Sequence, residues 1–252
     1  MKTIGLIGGM SPESTMLYYK IINQEVGHIL GGHHSAQIIL ASLNFDTIAK
    51  GMHRGDWDMI ANLMISAVKK LEACQVDVVG ICCNSAHKMF NRVYNCTTLP
   101  IFHILDPICE KIHELGIKKV AILGNRFVME DHFYADYLKS RCNIETVIPN
   151  LSDRMIIHDI IYSKLCKSIV DQDSVNKISI IISRLSLQGV EAVILGCTEL
   201  PLLFEQYQSE VLLLNSSRLH ALKLVDVIIH GEKIQDNSYK YIASNELFSV
   251  SA

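Results

Sequence analysis

Apolar residues in this chain come in short unbroken runs, and each run is followed by a stretch where they recur every three or four positions. "KTIGLIG" (Lys2–Gly8) leads into a segment of helical spacing from about Ser11 to Ile29. "AQIILASLNF" (Ala36–Phe45) precedes Asp56–Glu72, where Ile60, Leu63, Met64, Ala67 and Leu71 fall at the helical period. "VDVVGICC" (Val76–Cys83) follows, then a helix start, then "PIFHILDP" (Pro100–Pro107). Strands that are apolar throughout, rather than at alternate positions, are covered on both faces, so the pattern predicts an α/β fold with parallel sheets.

The second half repeats the first. "KKVAILGNR" (Lys118–Arg126) resembles "KTIGLIGGM", with Gly8 and Gly124 offset by 116 residues. "VEAVILGCT" (Val190–Thr198) matches "VDVVGICCN" at an offset of 114, and "EVLLLNSS" (Glu210–Ser217) matches "PIFHILDP" more loosely. Parallel strands resemble one another simply by being rich in Val, Ile and Leu. Here order, offset and a terminal cysteine agree together, which favours an internal duplication. The expected product is two similar lobes related by a pseudo-twofold axis. Residues 1–100, with 211–230 crossing back, would form the first and residues 101–210 the second. Residues 231–252 are polar and weakly patterned, and read as a peripheral extension.

Composition narrows the picture. With 252 residues, 49% of them hydrophobic and 19% charged, the chain can bury a substantial core. A net charge of -3 gives no basic field for nucleic acid or an anionic membrane, and no apolar run approaches the length of a membrane span. The apolar N-terminal stretch is broken by Gly5, Gly8 and Gly9 and reads as a first strand rather than a signal peptide. The eight cysteines include no C-x-x-C pair and suggest no disulfide framework, so a reducing cytoplasm is the default expectation.

In open parallel sheets ligands bind beyond the C-terminal strand ends. Gly8–Ser11, Cys83–Ser85, Gly124–Asn125 and Cys197–Glu199 fall there. Ser11 reads as a helix N-cap with Pro12 at the first helical position, so the free N–H groups behind it could hold a carboxylate or phosphate. "GLIGGM" is not a dinucleotide fingerprint, and no phosphate-loop motif, H-E-x-x-H or G-x-S-x-G is present. His33 and His34 are adjacent, a poor geometry for two ligands on one metal, and most of the eleven histidines read as surface or capping residues.

The cysteines remain. A lone cysteine is most often an inert buried thiol. Two at matching strand ends of a duplicated unit, each followed by small polar residues, would face each other across the cleft. One thiolate could then take a proton from a carbon while the opposite thiol returns one to the other face, inverting the centre.

"IGLIGGMSPEST" (Ile4–Thr15), "CNSAH" (Cys83–His87) and "LGCTELPLL" (Leu195–Leu203) resemble the signatures of the aspartate/glutamate racemase superfamily, over residues 1 to about 230. The resemblance is to the aspartate racemase and broad-specificity amino-acid racemase branch, because Glu199 follows the G-C-T where glutamate racemases usually carry histidine. It implies two flavodoxin-like lobes, a cytoplasmic homodimer, an amino-acid substrate (aspartate or glutamate foremost) and no cofactor or metal. It also implies Cys83 and Cys197 as the acid/base pair, and the repeat alignment independently sets Cys83 against Cys197. By the same resemblance Asn84, Ser85 and Thr198 surround the α-carboxylate and amino group, Met10 and Ser11 close the floor, and Lys164 or Arg54 meets an acidic side chain. Three positions depart from the pattern. Asn125 and Val128 stand where threonines are usual, which would make that wall more apolar, and Asn215 stands where aspartate is common. Related lobes also serve hydantoin racemisation, decarboxylation and cis–trans isomerisation, so another small carboxylic acid is the near alternative. A non-catalytic receptor for an acidic metabolite is the distant one.

Overall fold

The computed structural model describes residues 1–204 and 209–231. Its strands are β1 (Thr3–Gly8), β2 (Gln37–Ser42), β3 (Val78–Ile81), β4 (Lys119–Gly124), β5 (Glu145–Val147), β6 (Ala192–Gly196) and β7 (Leu212–Asn215). In the first half the helices are α1 (Pro12–Leu30), α2 (Phe45–Arg54), α3 (Trp57–Ala73), α4 (Phe90–Tyr94) and α5 (Asp106–Leu115). In the second half they are α6 (Arg126–Glu130), α7 (Phe133–Cys142), α8 (Leu151–Asp159), α9 (Gln172–Ser186) and α10 (Ser216–His230).

All strand pairs are parallel, in two sheets ordered β2-β1-β3 and β5-β4-β6-β7. Ile101 adds a single parallel bridge to Val79, so the first sheet continues past β3 as the second continues past β6. The two halves therefore share one strand order. The expected strand Pro100–Pro107 contracts to that bridge because α5 already begins at Asp106. The sequence pattern missed α2 and β5. One lies inside a run read as strand and loop, and the other is three residues long.

Each sheet is covered on both faces. Ile7, Val79 and Ile81 meet Ile60, Met64 and Leu71 of α3 on one side of the first sheet. Ile4, Leu6 and Val78 meet Tyr18 and Ile22 of α1 and Leu224, Val225 and Ile228 of α10 on the other. In the second lobe α8 and α9 cover one face, and α5 and α7 the other. Residues 211–230 do not move as one block. β7 pairs with β6 and stays in the second sheet, while α10 alone crosses to the first. At the earlier boundary the same exchange runs in reverse, since Ile101 sits in the first sheet and α5 packs on the second.

Local chemistry fixes the helix starts near the strand ends. Ser11 Oγ accepts from Ser14 N–H with Pro12 at the first helical position, and Asp56 accepts from Met59 N–H ahead of α3. Gly9 has φ +79°, and a Cβ there would lie 2.1 Å from Leu43 O, so only glycine allows this turn. Among the described residues no helix is long and apolar enough to cross a membrane. The cysteine pattern suggested no disulfide framework, yet Cys109 of α5 and Cys142 of α7 form a disulfide, brought together by the packing of the two helices on one face of the second sheet. The extension at 232–252 lies outside the described residues.

Three histidines are buried between the lobes. His220 Nδ1 accepts from Tyr18 O–H at 2.9 Å and its Nε2 donates to Phe102 O. His87 Nδ1 donates to Cys83 O at 2.8 Å, and His103 stacks on Tyr137. Burial, reinforced by the neighbouring imidazoles, holds His87 down to about 3 and His103 well below the usual histidine value. Burial likewise lowers His220 to about 4. In the folded chain these imidazoles are neutral, whereas in the unfolded chain they take up protons near pH 6.5. Their stabilisation is therefore complete above pH 6.5 and is lost as pH falls through the window down to about 3. We expect the urea midpoint to drop between neutral pH and pH 5, and a His220→Gln variant to show a shallower drop. Parallel pH profiles for the two proteins would refute this assignment.

Candidate active site

The C-terminal ends of β1, β3, β4 and β6 meet at a cleft between the lobes. Met10, Cys83, Asn84, Ser85, Asn125, Cys197, Thr198 and Glu199 line it, with Phe45, Met52, Ile161, Tyr162 and Cys166. Its cavity volume is about 30 Å³, room for about two water molecules.

Cys83 and Cys197 line this one cleft and are each about 6% exposed. Cys82, its neighbour in sequence, is fully buried in the core beneath α1 and α10. The environments of the two cleft thiols differ. Burial pushes Cys83 up to about 11 and the Glu199 carboxylate adds to the shift, while N–H groups of Ala86 and Ser85 and the Ser85 hydroxyl oppose it by favouring the thiolate. Burial also pushes Cys197 well above the usual thiol value, and the Glu199 carboxylate reinforces the shift. Cys197 Sγ–H donates to Glu199 Oε2 at 2.9 Å.

Glu199 was legible in the sequence as part of a strand-end segment and as a family marker, with no role of its own, yet it joins several side chains of the site. Thr198 O–H donates to Oε2 and Ser11 O–H donates to Oε1, both at 2.6 Å. Cys166 Sγ is 3.9 Å from Oε1. The start of α1, where the sequence suggested room for a carboxylate, thus holds the chain's own Glu199 from the opposite lobe.

Asn84 is oriented from behind. Tyr134 O–H of α7 donates to its Oδ1, and Ser216 Oγ of α10 lies 2.9 Å from the same oxygen. Its buried Nδ2 has no hydrogen-bond partner among the described residues. Tyr134 and Ser216 carry no strand-end signature, which is why sequence reasoning missed them. Asn125 donates from Nδ2 to Ser85 Oγ at 2.8 Å and caps α6, so the usual threonine is replaced by a bridge between lobes. Val128 does not line the cleft. It is buried against Gly124 and Gly196, where a Cβ on either glycine would come within 2.9 Å of its Cγ1. The expected apolar wall is instead made by Phe45, Met52 and Ile161. Asn215 accepts from Arg218 N–H and caps α10.

The two expected cations stand apart from this lining. Lys164 ends a π-helical turn, Ile160–Lys164, and pairs with Asp171 at 2.8 Å while donating to Ser174. The same turn brings Ile161 and Tyr162 into the cleft. Arg54 is exposed at the last position of α2.

A family model described as Asp/Glu/Hydantoin racemase matches residues 7–226. The chain belongs to the Asp/Glu/Hydantoin racemase family. Within that family, it is 22% identical over 227 residues to a broad-specificity amino-acid racemase of Bacillus subtilis, covering 90% of this chain and 98% of that one. The crystal structure of an aspartate racemase homologue from Pyrococcus horikoshii superposes with a TM-score of 0.77 at 30% identity, over 90% of this chain and 99% of its own. That of a candidate Asp/Glu racemase from Yersinia pestis gives 0.82 at 38% identity, over 90% and 98%. The two-lobed α/β architecture is thus that of the racemase family.

Removing the Tyr134 hydroxyl should expose the value of the Asn84 anchor. We expect Tyr134→Phe to lose about 1–2 kcal/mol of unfolding free energy in urea, because a buried carbonyl oxygen loses a donor. An unchanged midpoint would show that Ser216 alone satisfies Asn84.

Proposed function

We propose that this protein is an amino-acid racemase that works without pyridoxal phosphate, using Cys83 and Cys197 as opposed acid and base. The observation that carries this reading is that the two strand-end thiols of the duplicated lobes line one cleft. For inversion, one sulfur as thiolate takes the Cα proton and the electron pair stays on carbon. The other sulfur's proton is delivered to the opposite face. Asn84 Nδ2 and the Ser85 hydroxyl would hold the α-carboxylate as charge develops beside it. A homodimer in the cytoplasm remains part of the proposal.

The substrate side chain is constrained by charge. Among the described residues lining the cleft none is Arg, Lys or His, and Glu199 is the single carboxylate. An aspartate or glutamate side chain would bring a second buried anion against it, at a cost that no lining cation offsets. This favours an uncharged side chain over the acidic ones that the sequence resemblance suggested, unless Lys164 or Arg54 turns inward.

Incubation with single enantiomers in D₂O tests the reaction directly. We expect α-deuterium to enter at least one amino acid, and Cys83→Ser and Cys197→Ser each to lower racemisation by on the order of 10²-fold or more. Full activity in either variant would sink the two-thiol assignment. On charge grounds, kcat/KM for the best neutral amino acid should exceed that for aspartate by about tenfold or more, equivalent to about 1.4 kcal/mol. Equal or better turnover of aspartate would mean that a cation reaches the cleft.

A further inference from the structure

Of the motif Cys83–His87, the racemase reading uses Cys83, Asn84 and Ser85 and leaves His87 without a role. His87 is 2% exposed, and its Nδ1–H donates to the Cys83 carbonyl at 2.8 Å. Its ring stacks on Phe90 and meets the edge of His103, which Tyr137 of α7 backs from the second lobe. Its Nε2 is buried with no hydrogen-bond partner among the described residues. A phenyl ring would fill the same space without burying an unpartnered nitrogen. What the imidazole adds is its bond to Cys83.

The two copies of the duplicated unit show what that bond does. At the offset of 114, Cys83 matches Cys197, Ser85 matches Glu199, Ala86 matches Leu200 and His87 matches Pro201. A 3₁₀ turn follows each cysteine, Ser85–Met89 in one lobe and Leu200–Phe204 in the other. In the second lobe Leu200 N–H goes to the Cys197 carbonyl at 3.3 Å, while Glu199 N–H supports the sulfur. Pro201 has neither an N–H nor a side-chain donor to give that carbonyl. In the first lobe His87 N–H bonds to Asn84 O at 3.1 Å, and the His87 imidazole takes the Cys83 carbonyl. Ala86 N–H, the counterpart of Leu200 N–H, is aimed instead at the Cys83 sulfur, together with the N–H and hydroxyl of Ser85. Asn125 Nδ2 donates to Ser85 Oγ at 2.8 Å, which leaves that hydroxyl's own proton for the sulfur.

Resting on the racemase reading, we propose that His87 is a positioning residue for Cys83: by holding the Cys83 carbonyl it frees the Ala86 N–H for the sulfur, a donor that the second lobe uses on its carbonyl. A thiolate is a charged acceptor, and each N–H aimed at it favours that form. Burial and the Glu199 carboxylate work against the Cys83 thiolate, so losing one donor falls on the form that takes the Cα proton.

His87→Phe keeps a buried ring against Phe90 and His103 and removes the donor. Ala86 N–H is then expected to turn to the Cys83 carbonyl, as Leu200 N–H does at Cys197. Alkylation by iodoacetamide at mildly alkaline pH, read at each cysteine by tandem mass spectrometry, should slow at Cys83 by about tenfold relative to Cys197. One donor to a charged group shifts ionisation by about one pH unit. His87→Asn carries its Nδ2 on Cγ, as histidine carries Nδ1, and should hold the Cys83-to-Cys197 ratio within about threefold of the parent. His87→Leu, of the same shape as asparagine but with no donor, should not. In turnover, kcat should fall several-fold in His87→Phe and His87→Leu with KM held, and recover in His87→Asn. An unchanged alkylation ratio in His87→Phe overturns the proposal. So does an equal loss in His87→Asn and His87→Leu, because the ring would then act by packing alone. Should His87→Phe not fold, the asparagine and leucine variants decide between them. Absence of exchange in the parent with every amino acid tried defeats the racemase reading, while the alkylation ratio needs no substrate and still decides what His87 does.

Discussion

Each lobe is completed by a helix that the other lobe supplies, and the site depends on this exchange. The strand segment at Ile101 ends the first sheet, and the chain then crosses so that α5 covers the second. β7 ends the second sheet, and the chain crosses back so that α10 covers the first. Leu224, Val225 and Ile228 of α10 are buried on the far lobe. Full burial of such side chains stabilises by roughly 1.5–3 kcal/mol each, so the lobes cannot drift apart without exposing core. The exchange sets the strand ends of both sheets toward one cleft. It also puts Ser216, at the start of α10, behind Asn84.

Within that frame, the electrostatics of the cleft are decided by what is missing from its walls as much as by what lines them. Among the described residues no cation lines the cleft, and burial disfavours thiolates at Cys83 and Cys197. Ser11 serves two ends at once. It accepts from Ser14 N–H to start α1 and donates to Glu199, joining a helix start in the first lobe to the β6 end of the second. Lys88–Asp131 and Asn125–Ser85 make further links between the lobes around the same cleft.

The positions that depart from the family pattern find local explanations. Asn125 keeps the helix-capping function of a threonine and adds a reach to Ser85 that a shorter side chain lacks. Val128 fills the space left by two glycines at the β4 and β6 ends, where an added hydroxyl would be buried. The wall it was expected to line comes instead from α2, an element the apolar pattern concealed because Phe45 ends one run and Met52 sits in a short amphipathic turn sequence.

The sequence by itself determined the parallel sheets, their repetition and the pairing of Cys83 with Cys197. Strand burial and helix starts are local properties, written in unbroken apolar runs, in Ser11-Pro12 and in Asp56. It also marked out Cys82 as the odd member of its pair, because the repeat sets Cys82 against Gly196. What only the tertiary structure decided are the contacts between residues far apart in the chain. Tyr134 holds Asn84, Glu199 meets Ser11 from 188 positions away, and Cys109 finds Cys142. Lys164 turns to Asp171 rather than into the cleft. Each of these depends on how helices settle on sheets and on which partner compensates a buried polar group. A period of two or 3.6 along a chain carries no record of that choice.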